Sequence, residues 1–128
     1  MDIEENLIKF FVVFIGGGLG SVFRYWISSY ASKHLPLFFP FGTLLVNIIG
    51  SFILGLMIFG WDEKGLISPT IKLFIGVGFC GGLTTFSTFS LETFNLIKDA
   101  EFLMACLNIA VNVLFTLIGI YIAYLVTR

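Results

Sequence analysis

Four long apolar runs constrain this chain more than any other feature of its sequence. They are residues 10–32, 35–61, 73–91 and 102–127. The only charge inside them is Arg24, and a helix that crosses a bilayer needs about 20 predominantly apolar residues. The chain is 58% hydrophobic and only 12% charged, whereas a soluble domain is about a quarter charged. We therefore predict an all-α membrane protein whose four transmembrane helices form a single domain over residues 1–128.

The segments outside these runs leave no space for a soluble module. The loops WDEKGLISP and KDAE are too short for a domain, and the acidic N-terminus MDIEENLIKFF lacks the positive region of a signal peptide. The net charge of -1 argues against a nucleic-acid partner. The sequence contains no Ser-His-Asp, Cys-His or metal-ligand pattern, so we expect no enzymatic activity. We expect Cys80 and Cys106 to be small buried hydrophobic residues.

Amides lie inside two of the predicted spans, where an unpaired polar group costs several kcal/mol. Asn47 lies near the middle of the second span, and its position alone favours an interhelical hydrogen bond and a functional role equally. The fourth span carries Asn108, Asn112 and Thr116 at i, i+4 and i+8. This spacing predicts a polar stripe roughly 12 Å long on one helix face. We interpret the stripe as the wall of a polar path rather than as interhelical hydrogen bonding alone.

The third span contains the sequence GFCGGLTTFSTF at residues 78–89, which mixes glycines, hydroxyls and aromatic rings. Gly81 and Gly82 predict a break near the middle of the helix, because glycine permits unusual backbone angles. Carbonyls freed by such a break commonly hold cations. Beyond the break, i, i+3 and i+4 spacing predicts that the hydroxyls of Thr84, Ser87 and Thr88 share one helical face. The rings of Phe86 and Phe89, at i and i+3, are predicted on another face. A ring edge turned toward a small anion attracts it.

Small residues and one arginine mark the first span. Gly16 and Gly20 match the small-xxx-small pattern of close helix contact, and we expect them to pack inside the bundle. Arg24 has two open interpretations. Its side chain either reaches the lipid headgroups or donates hydrogen bonds to carbonyls of the broken helix.

Positive charges are distributed almost evenly between the two membrane faces. Four residues lie on the side of the termini, namely Lys9, Lys64, Lys72 and Arg128. Lys33 and Lys98 lie on the other side, and the depth of Arg24 is ambiguous. Since an excess of Lys and Arg normally fixes the cytoplasmic face, this weak bias suggests the hypothesis that the chain inserts in both orientations.

Three segments together resemble the Fluc (CrcB) fluoride-channel family over almost the whole chain. They are GGGLGSVFRYW in the first span, FGTLLVNIIGSFILG in the second and GFCGGLTTFSTFSLET in the third. The resemblance implies a passive, fluoride-selective ion channel that exports fluoride and relieves its toxicity. It also implies a multi-pass protein of the cell inner (plasma) membrane, surrounded by lipid, that forms an antiparallel (dual-topology) homodimer with two pores.

The resemblance also assigns site residues. Asn47, Phe86 and Phe89 match positions that contact permeating fluoride, and Thr88 and Glu92 match positions near the end of the pore. With the polar stripe of the fourth span, the predicted fluoride pore comprises Asn47, Phe86, Thr88, Phe89, Glu92, Asn112 and Thr116. The backbone carbonyls of Gly81 and Thr84 match a structural Na⁺ site at the dimer centre. Independently of the resemblance, we predict a structural role for Arg24. Asn108 and Asn112 are amides where the family is richer in hydroxyls.

Two other classes of membrane protein compete with this interpretation. A proton-coupled transporter of the small multidrug resistance type is also short and four-spanning, but it needs a titratable acid deep in the bundle. Residues 10–32 contain no Asp or Glu, and Glu92 is predicted at the end of the third span. A non-conducting membrane scaffold would use the polar stripe only for packing and would show no ion flux.

Overall fold

The computed structural model of the chain describes residues 2–128, which form a bundle of helices joined by short loops. The helices are α1 (Ile3–His34), α2 (Phe41–Asp62), α3 (residues 69–83), α4 (Phe86–Lys98) and α5 (Phe102–Val126). Helices α3 and α4 are the two halves of one broken span, Pro69–Lys98. Within residues 2–128, four segments are long and apolar enough to cross a membrane. The prediction of an all-helical, four-span architecture is confirmed.

The helix ends follow from local capping and proline chemistry. The Asp2 side chain accepts a hydrogen bond from the Glu4 N–H, so α1 begins earlier than the apolar run at residue 10. The Ser68 side chain caps α3 and Pro69 occupies its first turn, which places the start of the third span before Leu73. The proline-containing segment 35–40 is not helical and connects α1 to α2.

Glycines allow the backbones of α1 and α3 to touch. The glycine seam consists of Gly16, Gly17, Gly20, Gly78 and Gly82. A Cβ on Gly20 would collide with the carbonyl oxygen of Phe79, and a Cβ on Gly82 would collide with that of Gly17. A Cβ on Gly78 would lie 3.0 Å from the Cα of Gly16. The small-residue contact predicted for Gly16 and Gly20 is therefore confirmed, between two helices of the same chain.

The second helix, α2, contacts helices on two sides. Helix α2 packs along α5, where Gly55 faces Ala123, and it also contacts α1. The buried apolar side chains include Val46 and Met57 of α2. Most other large apolar side chains are exposed on the outside of the chain, which suits a lipid environment rather than water. Cys80 is buried, but Cys106 is exposed on α5, so the expectation that both cysteines are buried is wrong for Cys106.

The third span breaks at two threonines rather than at the glycines. Thr84 and Thr85 have extended backbone angles, with ψ of 158° and 123°, whereas Gly81 and Gly82 are helical. The predicted position of the break is wrong because these glycines serve close packing and the threonine side chains replace helical hydrogen bonds. The Thr84 hydroxyl donates to the Cys80 carbonyl at 2.8 Å, and the Thr85 hydroxyl accepts from the Thr88 N–H at 3.1 Å.

The position of the break changes two further expectations. Thr84 lies outside α4, so it does not share a helical face with Ser87 and Thr88 as predicted. Glu92 does not mark the end of the third span, because α4 continues to Lys98. The break therefore divides the span into two helices of similar length that meet near the centre of the bundle.

Candidate ion pathway at the helix break

A cavity of about 380 Å³ lies beside the break, between α2, the two halves of the third span and α5. Five residues of the predicted pore line it, namely Asn47, Phe86, Phe89, Asn112 and Thr116. Gly81 and Thr84, which the resemblance assigns to Na⁺, line it as well. None of the described residues around this cavity is charged. The structure thus brings most of the predicted site residues to one place.

Asn47 connects α2 to the broken backbone. Its Oδ1 accepts a hydrogen bond from the Thr85 N–H at 2.8 Å. Its Nδ2 donates to the Thr85 carbonyl at 3.3 Å and to Oδ1 of Asn112 at 3.0 Å. One side chain therefore satisfies both backbone groups of Thr85, which an unbroken helix would have paired internally. Asn47 makes interhelical hydrogen bonds and lines the cavity, so it meets both interpretations of its position.

The asparagines of α5 extend this connection away from the cavity. Nδ2 of Asn112 donates to both the carbonyl and the Oδ1 of Asn108, at 2.9 Å each. Nδ2 of Asn108 donates to the Thr93 hydroxyl at 2.9 Å, and that hydroxyl donates to the Phe89 carbonyl at 2.8 Å. We call this set of side chains the amide network; its members are Asn47, Thr85, Thr93, Asn108 and Asn112.

The predicted polar stripe on α5 is divided between two environments. Asn112 and Thr116 line the cavity, and the Thr116 hydroxyl donates to the Asn112 carbonyl at 2.6 Å. Asn108 is fully buried, with 0% of its surface exposed, and it does not line the cavity. The interpretation of the stripe as the wall of a path therefore fits Asn112 and Thr116, whereas Asn108 forms hydrogen bonds between helices.

The break leaves backbone carbonyls without their helical donors. The Thr85 N–H, which would pair with the Gly81 carbonyl in a continuous helix, donates to Asn47 instead. The carbonyls of Gly81, Leu83 and Thr84 accept no hydrogen bond from any donor within residues 2–128. The Gly82 carbonyl accepts one from Nε of Arg24 at 3.0 Å.

Arg24 is thereby placed at the carbonyl end of α3. Its side chain is partly buried and reaches across from α1 to the Gly82 carbonyl. Of the two interpretations of Arg24, the structure shows the hydrogen bond to the broken helix. A cation at this position offsets the partial negative charge at the C-terminal end of a helix.

The two phenylalanines of the predicted pore lie side by side at the start of α4. Their ring centroids are 5.5 Å apart and their planes are tilted by 49°. Phe86 is 79% exposed from the chain, which is far more than packing alone would give a core aromatic residue. Both rings border the cavity, where their edges can face an ion.

Thr88 and Glu92 lie in a second cavity, of about 370 Å³, between the 35–40 connection and α4. The Thr43 hydroxyl of α2 donates a hydrogen bond to Oε1 of Glu92 there. This cavity is also lined by Asn95 and Asp99, so it is more polar than the first. The structure therefore places the seven predicted pore residues in two cavities rather than in one.

Sequence reasoning missed three hydroxyl residues of this region. Thr43, Thr85 and Thr93 each bond a residue that was identified, namely Glu92, Asn47 and Asn108. One signal in the sequence was available for Thr93, which follows Phe89 by four residues and so lies on the same side of α4. The partners of these hydroxyls come from distant parts of the chain, which periodicity within one helix does not reveal.

A small bundle of membrane-crossing helices, with an uncharged cavity at a broken helix that amide and hydroxyl side chains help to line, has the features of a membrane transport protein. Comparison with known proteins gives the family. Residues 11–124 match the family described as CrcB-like protein, Camphor Resistance (CrcB). The chain belongs to this family, as the resemblance had indicated.

Curated relatives cover nearly the whole chain. The fluoride-specific ion channel FluC of Pyrococcus furiosus is 47% identical over 131 residues, which span 100% of this chain and 99% of that protein. The protein of the same name from Pyrococcus abyssi is 46% identical, over 96% of this chain and 98% of its own length. A FluC from Shewanella woodyi is 49% identical over 86% of this chain and 88% of its own.

Proposed function

We propose that this protein is a fluoride-selective, passive ion channel of the plasma membrane that exports fluoride and so relieves its toxicity. The observation that carries this proposal is the cavity at the helix break, which Asn47, Phe86, Phe89, Asn112 and Thr116 line without any charged neighbour. The family and the names of its relatives support the same function. The ion is thus small, anionic and strongly hydrated.

The cavity contains several groups with partial positive charge that can replace the water molecules around an anion. Amide N–H groups, hydroxyls and ring edges stabilise an anion without the full positive charge that would hold it in place. Helix α4 begins at the cavity with Phe86, so the partial positive charge of its N-terminal end adds to them. These groups replace the hydration shell stepwise, and movement then follows the fluoride gradient.

Charge placement favours this function over proton-coupled cation export. A multidrug transporter of that type needs a carboxylate where the drug binds, and no described residue around the cavity at the break is acidic. Glu92 lies in the second cavity, bonded to Thr43. The scaffold alternative gives no reason for a cavity lined by polar side chains within the membrane.

The proposal includes an antiparallel homodimer in the lipid bilayer. Support comes from the weak Lys and Arg bias and from the exposure of Phe86 and Gly81 at the edge of the cavity, where a second copy would cover them. Cysteine-accessibility labelling of the termini in cells is expected to find each terminus on both sides of the membrane. A single orientation for all molecules would reject the antiparallel assembly.

The proposal also includes a structural Na⁺ at the dimer centre, held by the carbonyls of Gly81 and Thr84. These oxygens suit a hard cation, and the break leaves them without internal donors in residues 2–128. Bound Na⁺ would supply positive charge to these carbonyl dipoles and so stabilise the broken backbone. Two chains would supply twice the number of oxygens, which links the cation to the dimer.

Reconstitution into liposomes tests the function. The purified protein is expected to release trapped fluoride, measured with a fluoride-selective electrode, and to retain trapped chloride. The efflux is expected to proceed without a pH gradient, because a passive channel exchanges no proton. Equal rates for chloride and fluoride, or a strict requirement for a pH gradient, would contradict the proposal.

A further inference from the structure

The amide network runs in one direction from Thr85 at the break to Thr93 of α4. At one end, Asn47 bonds both backbone groups of Thr85, and at the other, the Thr93 hydroxyl donates to the Phe89 carbonyl. Asn112 and Asn108 connect these ends with donor–acceptor distances of 2.9–3.0 Å. Each intermediate side chain is therefore a donor to one neighbour and an acceptor from the other.

Backbone groups fix the direction of every bond in this network. The Thr85 N–H can only donate, so it requires Oδ1 of Asn47 to face it and turns Nδ2 toward Asn112. The Asn108 carbonyl can only accept, so it requires Nδ2 of Asn112. The Thr93 hydroxyl donates its hydrogen bond to the Phe89 carbonyl. Its oxygen is therefore the acceptor for Nδ2 of Asn108. Flipping any one amide would set like groups against each other.

Two members of the network are set back from both cavities. Thr93 and Asn108 are buried, and neither is among the residues that line the cavity at the break or the second cavity. Asn112 lies between them and the first cavity, which it lines together with Asn47. An effect of Asn108 on the ion therefore passes through Asn112 or, by way of the Thr93 hydroxyl, through the Phe89 carbonyl, and the second route leaves Asn47 and Thr85 untouched.

We infer that Thr93 and Asn108 are positioning residues that hold the amides of Asn112 and Asn47 in the orientation that the fluoride pathway requires. This inference rests on the proposed function. Without the Thr93 hydroxyl, Nδ2 of Asn108 loses its acceptor, and the Asn108 amide is held only by the bond that its Oδ1 accepts from Asn112. The bond from Asn47 to Asn112 and the bonds to Thr85 then lose part of their support, since hydrogen-bonded networks act cooperatively.

The test replaces Thr93 with valine, which keeps the shape of the side chain and removes the hydroxyl. Fluoride efflux from liposomes is expected to fall roughly fivefold, the population change that accompanies loss of one buried hydrogen bond. The Thr85 amide resonance, followed by NMR in protein labelled with ¹⁵N-threonine, is expected to shift. Thr93→Ser keeps the hydroxyl and is expected to restore both properties.

Thr127→Val is the matched control. The Thr127 hydroxyl donates to the carbonyl four residues earlier, that of Ala123, at 2.7 Å, as the Thr93 hydroxyl does to Phe89 at 2.8 Å. Thr127 lies outside the amide network, so this variant is expected to keep wild-type flux and an unshifted Thr85 resonance. It separates the loss of a local helix bond from the loss of the network.

Asn108→Leu gives a second route to the same result and carries the test if Thr93→Val does not fold. Since the Asn108 amide connects Thr93 to Asn112, both variants interrupt the same series of bonds, and the double variant is expected to lose no more flux than the more impaired single variant. Reduced thermal stability with unchanged flux and an unshifted Thr85 resonance would overturn the inference. Absence of fluoride efflux from the wild-type protein would instead overturn the proposed function, while the Thr85 resonance would still report whether Thr93 supports Asn47.

Discussion

The two halves of the third span are attached to the bundle in opposite ways. Helix α3 lies against α1 through the glycine seam, where backbone touches backbone and no side chain lies between. Helix α4 is hydrogen-bonded to both of its neighbours, because Thr43 of α2 donates to Glu92 and Asn108 of α5 donates to Thr93. The same span therefore uses close packing before the break and hydrogen bonding after it.

This difference decides where the bundle contains a cavity. Close backbone contact excludes any cavity, so α3 and α1 form a solid wall of the bundle. Hydrogen bonds between longer side chains hold α4 at a distance and leave space for the cavity of about 380 Å³. The comparison teaches that the third span uses small residues for packing before the break, whereas after the break its hydroxyl residues bond to the amides of neighbouring helices.

The largest expected effect comes from adding side-chain volume to the glycine seam. In Gly20→Val, the new Cβ would collide with the Phe79 carbonyl oxygen and approach the Leu83 nitrogen to 2.9 Å. Backbone atoms cannot move aside as a flexible side chain can, so we expect no folded protein by size-exclusion chromatography. Gly18→Val is the control, because no atom lies within 4 Å of a Cβ at that position. Equal yields of the two variants would show that the seam is not tightly packed.

On the polar side of the comparison, Asn47→Asp should abolish fluoride efflux and leave a folded protein. The aspartate keeps an oxygen for the Thr85 N–H but loses both donated bonds, to the Thr85 carbonyl and to Asn112. It also adds a negative charge to an otherwise uncharged cavity. Liposome efflux measures the result, and Asn6→Asp, at the start of α1, makes the same chemical change outside the cavity. Efflux at the wild-type rate would remove Asn47 from the pathway.

The rings at the start of α4 give an intermediate effect that separates electrostatics from packing. Phe86→Ile and Phe89→Ile remove the positive ring edge but keep a bulky apolar side chain. We expect the proposed dimer to stay intact by size-exclusion chromatography and fluoride efflux from liposomes to be strongly reduced for at least one variant, whereas packing alone predicts a cost of about 1 kcal/mol and near-normal flux. Phe94→Ile on the same helix is the control, because Phe94 lines neither cavity.

Arg24 lies at the end of the glycine seam next to the break, and its removal should have the smallest effect. Arg24→Leu deletes the hydrogen bond to the Gly82 carbonyl, a charge-assisted bond worth about 2 kcal/mol. We expect a lower unfolding temperature in detergent and retained fluoride selectivity. Arg128→Leu, at the exposed C-terminus, controls for the loss of one positive charge. A variant that unfolds at the wild-type temperature would show that Arg24 does not stabilise the end of α3.

Sequence patterns predicted most of the fold because membrane helices depend on properties of short segments. Long apolar runs located the four spans, and the spacing of Gly16 and Gly20 predicted a close helix contact, which α3 makes. The position of the break was harder, since Gly82 is as compatible with close packing as with a bend. Only the presence of α1 opposite Gly82 decides between them.

The sequence predicted which residues belong to the candidate site, but not the hydrogen bonds that connect them. Asn47, Asn112 and the two rings stood out because polar or repeated groups are unusual within a span. Thr85 and Thr93 did not, because their roles depend on partners 38 and 15 residues away in sequence. A hydroxyl on a helix is ordinary until the structure shows which amide it faces.

Both amide protons of Asn47 are already bound, one to Asn112 and one, through the longer bond of 3.3 Å, to the Thr85 carbonyl. An anion that accepts a hydrogen bond from Asn47 must therefore displace one of the oxygen atoms that already accept from it. Such an exchange is favourable only for an acceptor stronger than a carbonyl, and charge-assisted bonds to a small ion meet this condition. A large, diffuse halide accepts hydrogen bonds too weakly to do so. Discrimination among halides then arises from competition with the protein's own backbone, independently of how wide the path is.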